Sequence, residues 1–129
     1  MNGKKDIPIL FNPDKPGLEK FWGRLEIDVM EIIWANGPMT VKRALYFLNK
    51  SRTYAYTTVM TVMNRLVKKA ILDRKKEGHS FIYSPSLSKK EFIQLATQKV
   101  IAGLLTDFKE VATRNFSRLR KTSHEGKPD

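Results

Sequence analysis

The sequence predicts a mainly α-helical chain with one small β-hairpin. Three observations carry that prediction. Apolar residues recur at helical spacing in three successive segments between Leu25 and Lys69. A stretch of β-branched and aromatic residues follows, Ile71 to Lys76 and Ser80 to Ser84, with Glu77-Gly78-His79 as the turn between two strands. Two further helical stripes then run to Lys121.

Residues 1–23 read as an extended arm, because Pro8, Pro13, Pro16 and Gly17 interrupt any long helix. Phe11, Phe21 and Trp22 in that arm call for something to pack against. Leu25 to Trp34 is the first helix, with Val29, Met30, Ile33 and Trp34 on one side and acids on the other. Asn36-Gly37-Pro38 stops it, since Asn or Gly can take a left-handed end position and Pro cannot continue a helix. Thr40 caps a second helix running to Asn49, with Val41, Ala44, Leu45 and Leu48 as its buried stripe.

The third helix runs from Tyr56 to Lys69. Advancing about 100° per residue from Val59 gathers Val62, Met63, Leu66 and Ala70 on one side. Thr57, Thr61, Asn64, Arg65 and Lys68 collect opposite. After the hairpin, Pro85 ends the second strand. Ser88 and Glu91 form a capping box that opens a helix over Lys89 to Leu105. Thr106 is placed as the cap of a last helix to Lys121, and residues 122–129 as a disordered tail.

The chain has 129 residues, room for one compact domain and appendages. Its net charge of +11 favours polyanions. That charge is segregated. From Pro38 to Lys76 there are ten bases against one acid, Asp73, which puts +9 of the +11 in a single stretch. Leu25 to Gly37 carries Glu26, Asp28 and Glu31 and no base. Cysteine is absent, which excludes disulfides and thiolate metal sites. No apolar run approaches the roughly 20 residues that span a bilayer, and Met1 to Leu10 lacks the apolar core of a secretory signal. The expected location is cytoplasmic, with no membrane association, no cofactor and no metal.

Helix, helix, helix, hairpin is the order of a winged helix-turn-helix. In that arrangement the second helix braces the third, the third can enter a major groove, and the hairpin reaches adjacent backbone. The candidate base contacts are Thr57, Thr58, Thr61, Asn64 and Arg65. Short hydroxyls and methyls suit base edges and thymine methyl groups, Asn pairs with adenine, and Arg pairs with guanine. The candidate backbone contacts are Thr40, Lys42, Arg43, Arg52, Tyr56, Lys68, Lys69, Lys75, Lys76 and His79. Residues 24–86 then form the DNA-binding domain and 87–121 a helical dimerisation region. Its candidate interface residues are Phe92, Leu95, Val100, Leu104, Phe108, Val111 and Phe116. A second copy is the economical partner for such a stripe, and a two-fold dimer requires a palindromic double-stranded DNA operator.

Three blocks of residues resemble the penicillinase-repressor family of bacterial regulators. The first is Gly23-Arg24-Leu25-Glu26 with Val29-Met30-Glu31-Ile32-Ile33-Trp34. The second is Ala55-Tyr56-Thr57-Thr58-Val59-Met60-Thr61, continuing to Asn64-Arg65-Leu66. The third is Glu77-Gly78, Phe81 and Tyr83-Ser84-Pro85, with Ser88 and Glu91-Phe92 beyond. The resemblance implies a homodimeric transcriptional repressor that occupies an operator until a signal releases it. In several members a membrane sensor-protease cleaves the dimerisation region, which makes such a protease a candidate partner. Asn115-Phe116 matches the dipeptide cut in some members, although packing of Phe116 in a dimer interface is the preferred reading. The cysteine pairs of the copper-responsive branch are missing here, and His79 stands where the family often has arginine.

Two other classes fit the residues less well. An enzyme finds no support: His79 and His124 are far apart, and neither a carboxylate constellation nor a phosphate-cradling glycine loop is present. The alternative is a winged-helix protein–protein interaction module without sequence-specific DNA binding. The threonine-rich, basic face of the third helix discriminates against it, because a protein-binding face would be apolar.

Overall fold

The computed structural model describes residues 7–125, so the remainder of the predicted arm (1–6) and tail (126–129) lies outside the described residues. The chain divides into two compact units, Met1–Ile93 and Gln94–Asp129. The first unit contains a short 3-10 helix at Gly17–Lys20, then α1 (Arg24–Asn36), α2 (Val41–Leu48), α3 (Tyr56–Lys68), β1 (Leu72–Glu77) and β2 (Ser80–Pro85). This is the helix, helix, helix, hairpin order that the periodicity requires. α4 (Lys89–Glu125) begins in this unit.

One core joins these elements. α1 contributes Val29, Met30 and Ile33, α2 contributes Val41, Ala44 and Leu48, and α3 contributes Val59, Val62, Met63 and Leu66. Ile71, Leu72 and Tyr83 close it from the hairpin side. Each fully buried large aliphatic side chain contributes about 1.5–3 kcal/mol relative to exposure. The ends of the helices follow local chemistry. Thr40 Oγ1 accepts the Arg43 amide at 3.1 Å and caps α2. Gly37, at φ 91° and ψ −176°, ends α1 in a backbone conformation that suits glycine alone.

α3 ends in a Schellman arrangement. The Ala70 amide donates to the Val67 carbonyl and the Ile71 amide to the Leu66 carbonyl, both at 2.9 Å. Ala70 takes the left-handed position at φ 64°, where glycine is usual. Buried Ile71 and Leu66 supply the apolar pair that accompanies such a turn. Next to this turn, Glu26 is 8% exposed and still ionically satisfied. Its Oε1 accepts the Gly23 amide at 3.1 Å, and its Oε2 accepts Lys69 Nζ at 3.0 Å. The start of α1 is thereby tied to the end of α3.

The hairpin is antiparallel, with Arg74 opposite Tyr83 and Glu77 opposite Ser80. Its two-residue turn has Gly78 at φ 63°, the positive φ at the first central position that a type II′ turn needs. A third segment joins the ladder: Met39 and Tyr83 exchange backbone hydrogen bonds of 3.0 and 2.8 Å. One residue pair leaves no alternating pattern, so the sequence does not announce it.

The arm is part of this unit. Ile7 is buried, and Phe21 lies 5.9 Å from Phe11 and meets Phe92 edge-on at 5.7 Å between ring centroids. Trp22 stacks on Phe92 at 4.2 Å and lies 5.9 Å from Trp34. This cluster corrects one expectation. Phe92, assigned above to the dimer surface, is fully buried among the arm and α1 aromatics of its own chain. Its capping box is as read: the Glu91 amide donates to Ser88 Oγ at 3.0 Å and the Ser88 amide to Glu91 Oε1 at 2.9 Å.

The second unit is the remainder of α4. Its backbone departs from helical geometry at Phe108 (φ −134°, ψ 45°), so two helices meet at a kink. Thr106 does not cap the second of them. Its hydroxyl donates to the Ala102 carbonyl at 2.9 Å, one turn back, which keeps it inside the first. The predicted tail is also corrected, since helix continues through residues 122–125. Among the described residues, no helix is long and apolar enough to cross a membrane.

The left-handed alanine yields a prediction. Ala70→Gly removes a Cβ penalty of about 1 kcal/mol, so thermal unfolding is expected at higher temperature than for the parent. A lower midpoint would show that Ala70 is held there without strain.

Candidate nucleic-acid interface

α3 shows two different surfaces because Val59, Val62, Met63 and Leu66 are used by the core. Tyr56, Thr57, Thr58, Thr61, Arg65 and Lys68 remain on the solvent side. The entry to α3 is fixed by Asn49 at the end of α2, whose Oδ1 accepts the Tyr54 amide at 2.8 Å. The N-cap position is Ala55, with no side-chain cap hydrogen bond. The amides of Tyr56 and Thr57 therefore receive no cap from the Ala55 side chain.

α2 adds basic groups. Lys42 and Arg43 lie in its first turn, and Arg52 follows it, all exposed. The Arg43 guanidinium sits 4.9 Å above the Phe47 ring and 5.4 Å from that of Tyr46. Thr40, a candidate backbone contact, uses its oxygen as the α2 cap. Its hydroxyl proton is still available to a phosphate.

The structure separates candidates that look alike in sequence. Lys68 is exposed, whereas Lys69 turns back to pair with Glu26. Lys69 is thus engaged in a core-side ion pair in this structure, because a largely buried carboxylate needs a cation more than the surface does. Asn64 is engaged within the chain as well. Its Oδ1 accepts Tyr83 Oη at 2.7 Å and Arg74 Nη1 at 2.9 Å, which fills both acceptor sites of the amide oxygen. A bidentate adenine pair needs that oxygen free. Lys75 and Lys76 are both exposed but alternate across the ribbon, so only Lys76 shares the face of Arg74 and Phe81. His79 lies at the exposed tip. Arg74 was missed in the sequence, where it is one more base in a run of three; only the strand register singles it out.

In the second unit, Leu95 and Val100 are half-buried and Leu104, Phe108, Val111 and Phe116 exposed. Ile101, Leu105 and Leu119 belong to the same apolar series and are exposed with them. Asn115 and Phe116 lie within α4, and Asn115 Oδ1 accepts Arg118 Nη2 at 2.8 Å. Among the described residues, no cluster of His, Cys, Asp or Glu could hold a metal ion.

Comparison with known proteins agrees with this geometry. The family model described as Penicillinase repressor matches residues 22–126. The chain is similar to the penicillinase repressor of Bacillus licheniformis, 29% identical over 76 residues, which cover 59% of each protein. It is 33% identical over 103 residues to the transcriptional regulator BlaI of Mycobacterium tuberculosis, covering 79% of this chain and 69% of that one. The chain thus matches little more than half the length of the Bacillus relative. Among solved structures, the DNA-binding domain of the repressor BlaI superposes with a TM-score of 0.50 at 30% identity. That match covers 54% of this chain and 85% of the other.

The two adjacent lysines separate charge from structure. Lys68→Ala is expected to flatten the log–log salt dependence of duplex binding by about 0.9, the contribution of one phosphate contact. Lys69→Ala is expected to leave that slope alone and lower the thermal midpoint instead. Equal slope changes for both would show Lys69 reaching the duplex.

Proposed function

The chain belongs to the penicillinase-repressor family, and from this premise we propose that it is a sequence-specific DNA-binding transcriptional repressor. It acts as a homodimer on a two-fold symmetric operator, and its work is done in the cytoplasm without catalysis. The observation that carries the reading is the division of α3. Val59, Val62, Met63 and Leu66 are buried, while Thr57, Thr58, Thr61 and Arg65 are left to solvent. Those outward groups fit the major groove, where hydroxyls and a guanidinium can read base edges. Lys42, Arg43, Arg52, Lys68 and Lys76 stand beside it for phosphates. A protein-interaction module would carry apolar groups on that face.

The dimer rests on α4. Ile101, Leu104, Leu105, Phe108, Val111, Phe116 and Leu119 are between 39% and 64% exposed and, apart from the adjacent pair Leu104 and Leu105, follow one another at three- to five-residue spacing. A second copy covers such a stripe and gives two α3 helices related by a two-fold axis. Each half-site then gains from the other by effective concentration.

Two measurements test this. Selection from a random duplex library at near-physiological salt is expected to enrich an inverted repeat, with Thr61→Ala or Arg65→Ala relaxing the choice at single positions by roughly 1–3 kcal/mol. Absence of any enriched sequence would bring the protein-interaction reading forward. The paired change Leu104→Asp and Val111→Asp is expected to yield a monomer in sedimentation and to weaken operator binding by about 10²-fold or more. A variant that stays dimeric would move the interface elsewhere.

A further inference from the structure

Asn64 lies on α3, but its hydrogen bonds belong to the wing. Tyr83 is only 2% exposed, so the hydroxyl that reaches Asn64 Oδ1 is held in place by a buried ring. The second donor is Arg74, whose guanidinium carbon lies 4.1 Å from the centre of the Phe81 ring. The register puts Arg74 directly opposite Tyr83 and diagonal to Phe81, so all three project from one face of the ribbon. Phe81 is 39% exposed. An aromatic ring left at the surface and covered by a guanidinium is a platform for the cation more than a part of the core.

The geometry points to a latch with a pre-oriented cation at its end. Asn64 is a positioning residue that fixes the wing to α3, and Arg74 is the DNA-contacting residue it serves. The guanidinium carries five N–H donors. Asn64 takes one, and the Phe81 ring holds the plane. The remaining donors are presented to a phosphate flanking the groove that α3 enters. An arginine fixed this way loses fewer rotamers on binding than a free lysine beside it. The inference rests on the reading of α3 as the groove-entering helix and deepens it.

The test uses the full chain and the duplex selected above. Arg74→Ala is expected to flatten the salt dependence by about 0.9 in slope. Arg74→Lys keeps the charge and therefore the slope, yet loses the stack and the fork, and is expected to weaken binding about five- to tenfold. Asn64→Ala is expected to weaken binding on every sequence by a similar factor and leave the base preference unchanged. Tyr83→Phe, which removes one hydroxyl and no packing, is expected to give the same pattern more mildly. An unchanged slope for Arg74→Ala overturns the assignment of Arg74. Relaxed choice at one base pair in Asn64→Ala, by tenfold or more, overturns the latch and returns Asn64 to base readout.

A DNA-free measurement keeps the two levels apart. In thermal unfolding, Asn64→Ala and Tyr83→Phe are expected to be non-additive when combined, and additive effects overturn the latch whatever the duplex does. If the parent protein binds no duplex while that coupling persists, the DNA-binding reading has failed and the assignment of Arg74 falls with it.

Discussion

α3 has to be gripped from one side only, and the rest of the first unit follows from that constraint. A helix that presents a reading face to a groove can be stabilised only through its opposite face and its ends. The opposite face meets α1, α2 and the root of the hairpin through Val59, Val62, Met63 and Leu66. The entry is held by Asn49, the exit by the Schellman turn at Ala70 and by Lys69 on Glu26. No stabilising contact needs to be borrowed from the outward threonines. That leaves their hydroxyls and methyls free to be selected for recognition alone.

The ion pairs of the first unit divide by the same logic. Arg24 with Glu19 and Lys89 with Glu31 are on the surface, where such pairs contribute about 0–1 kcal/mol. Glu26 with Lys69 is different, because the carboxylate side chain is 11% exposed and the ammonium 28%. Removing one partner there strands a charge that water reaches only in part, at a cost of several kcal/mol for a fully buried pair and less here. Glu26 also caps α1 through the Gly23 amide. One carboxylate thus sets two helix ends, and it does so by drawing in a lysine that would otherwise extend the basic face.

Much of this was legible in the residues, and the exceptions have physical causes. Helix periodicity, the Thr40 cap, the Ser88–Glu91 box and Gly78 fix the elements because each acts locally. Even the fate of the two lysines leaves a trace. At about 100° per residue, Lys68 falls opposite Val59, while Lys69 falls on the flank toward the core. A flank position is undecided until a buried carboxylate 43 residues away in sequence is known to wait for it. Asn64 falls on the outward side by the same count, yet it is claimed by a tyrosine and an arginine from a hairpin whose register the sequence does not state. Phe92 shows a limit of apolar periodicity. A stripe says that a residue will be covered, not by what, and the arm aromatics Phe21 and Trp22 reach Phe92 before any second copy can.

The second unit poses the converse problem. Its apolar side chains are not consumed by a core of their own, and a helix with an exposed stripe of Ile, Leu, Phe and Val is costly to keep in water. Burial against an identical stripe removes that cost and requires no second gene product. It also changes what the first unit has to achieve. A single reading helix with a handful of polar contacts discriminates weakly, since each base-pair mismatch is worth only about 1–3 kcal/mol. Joining two such helices, as the proposed dimer does, would multiply discrimination across two half-sites and would make operator occupancy depend on the integrity of α4 as much as on α3. In the proposed dimer, any event that separates the two copies would weaken operator binding without touching a single residue of the reading face.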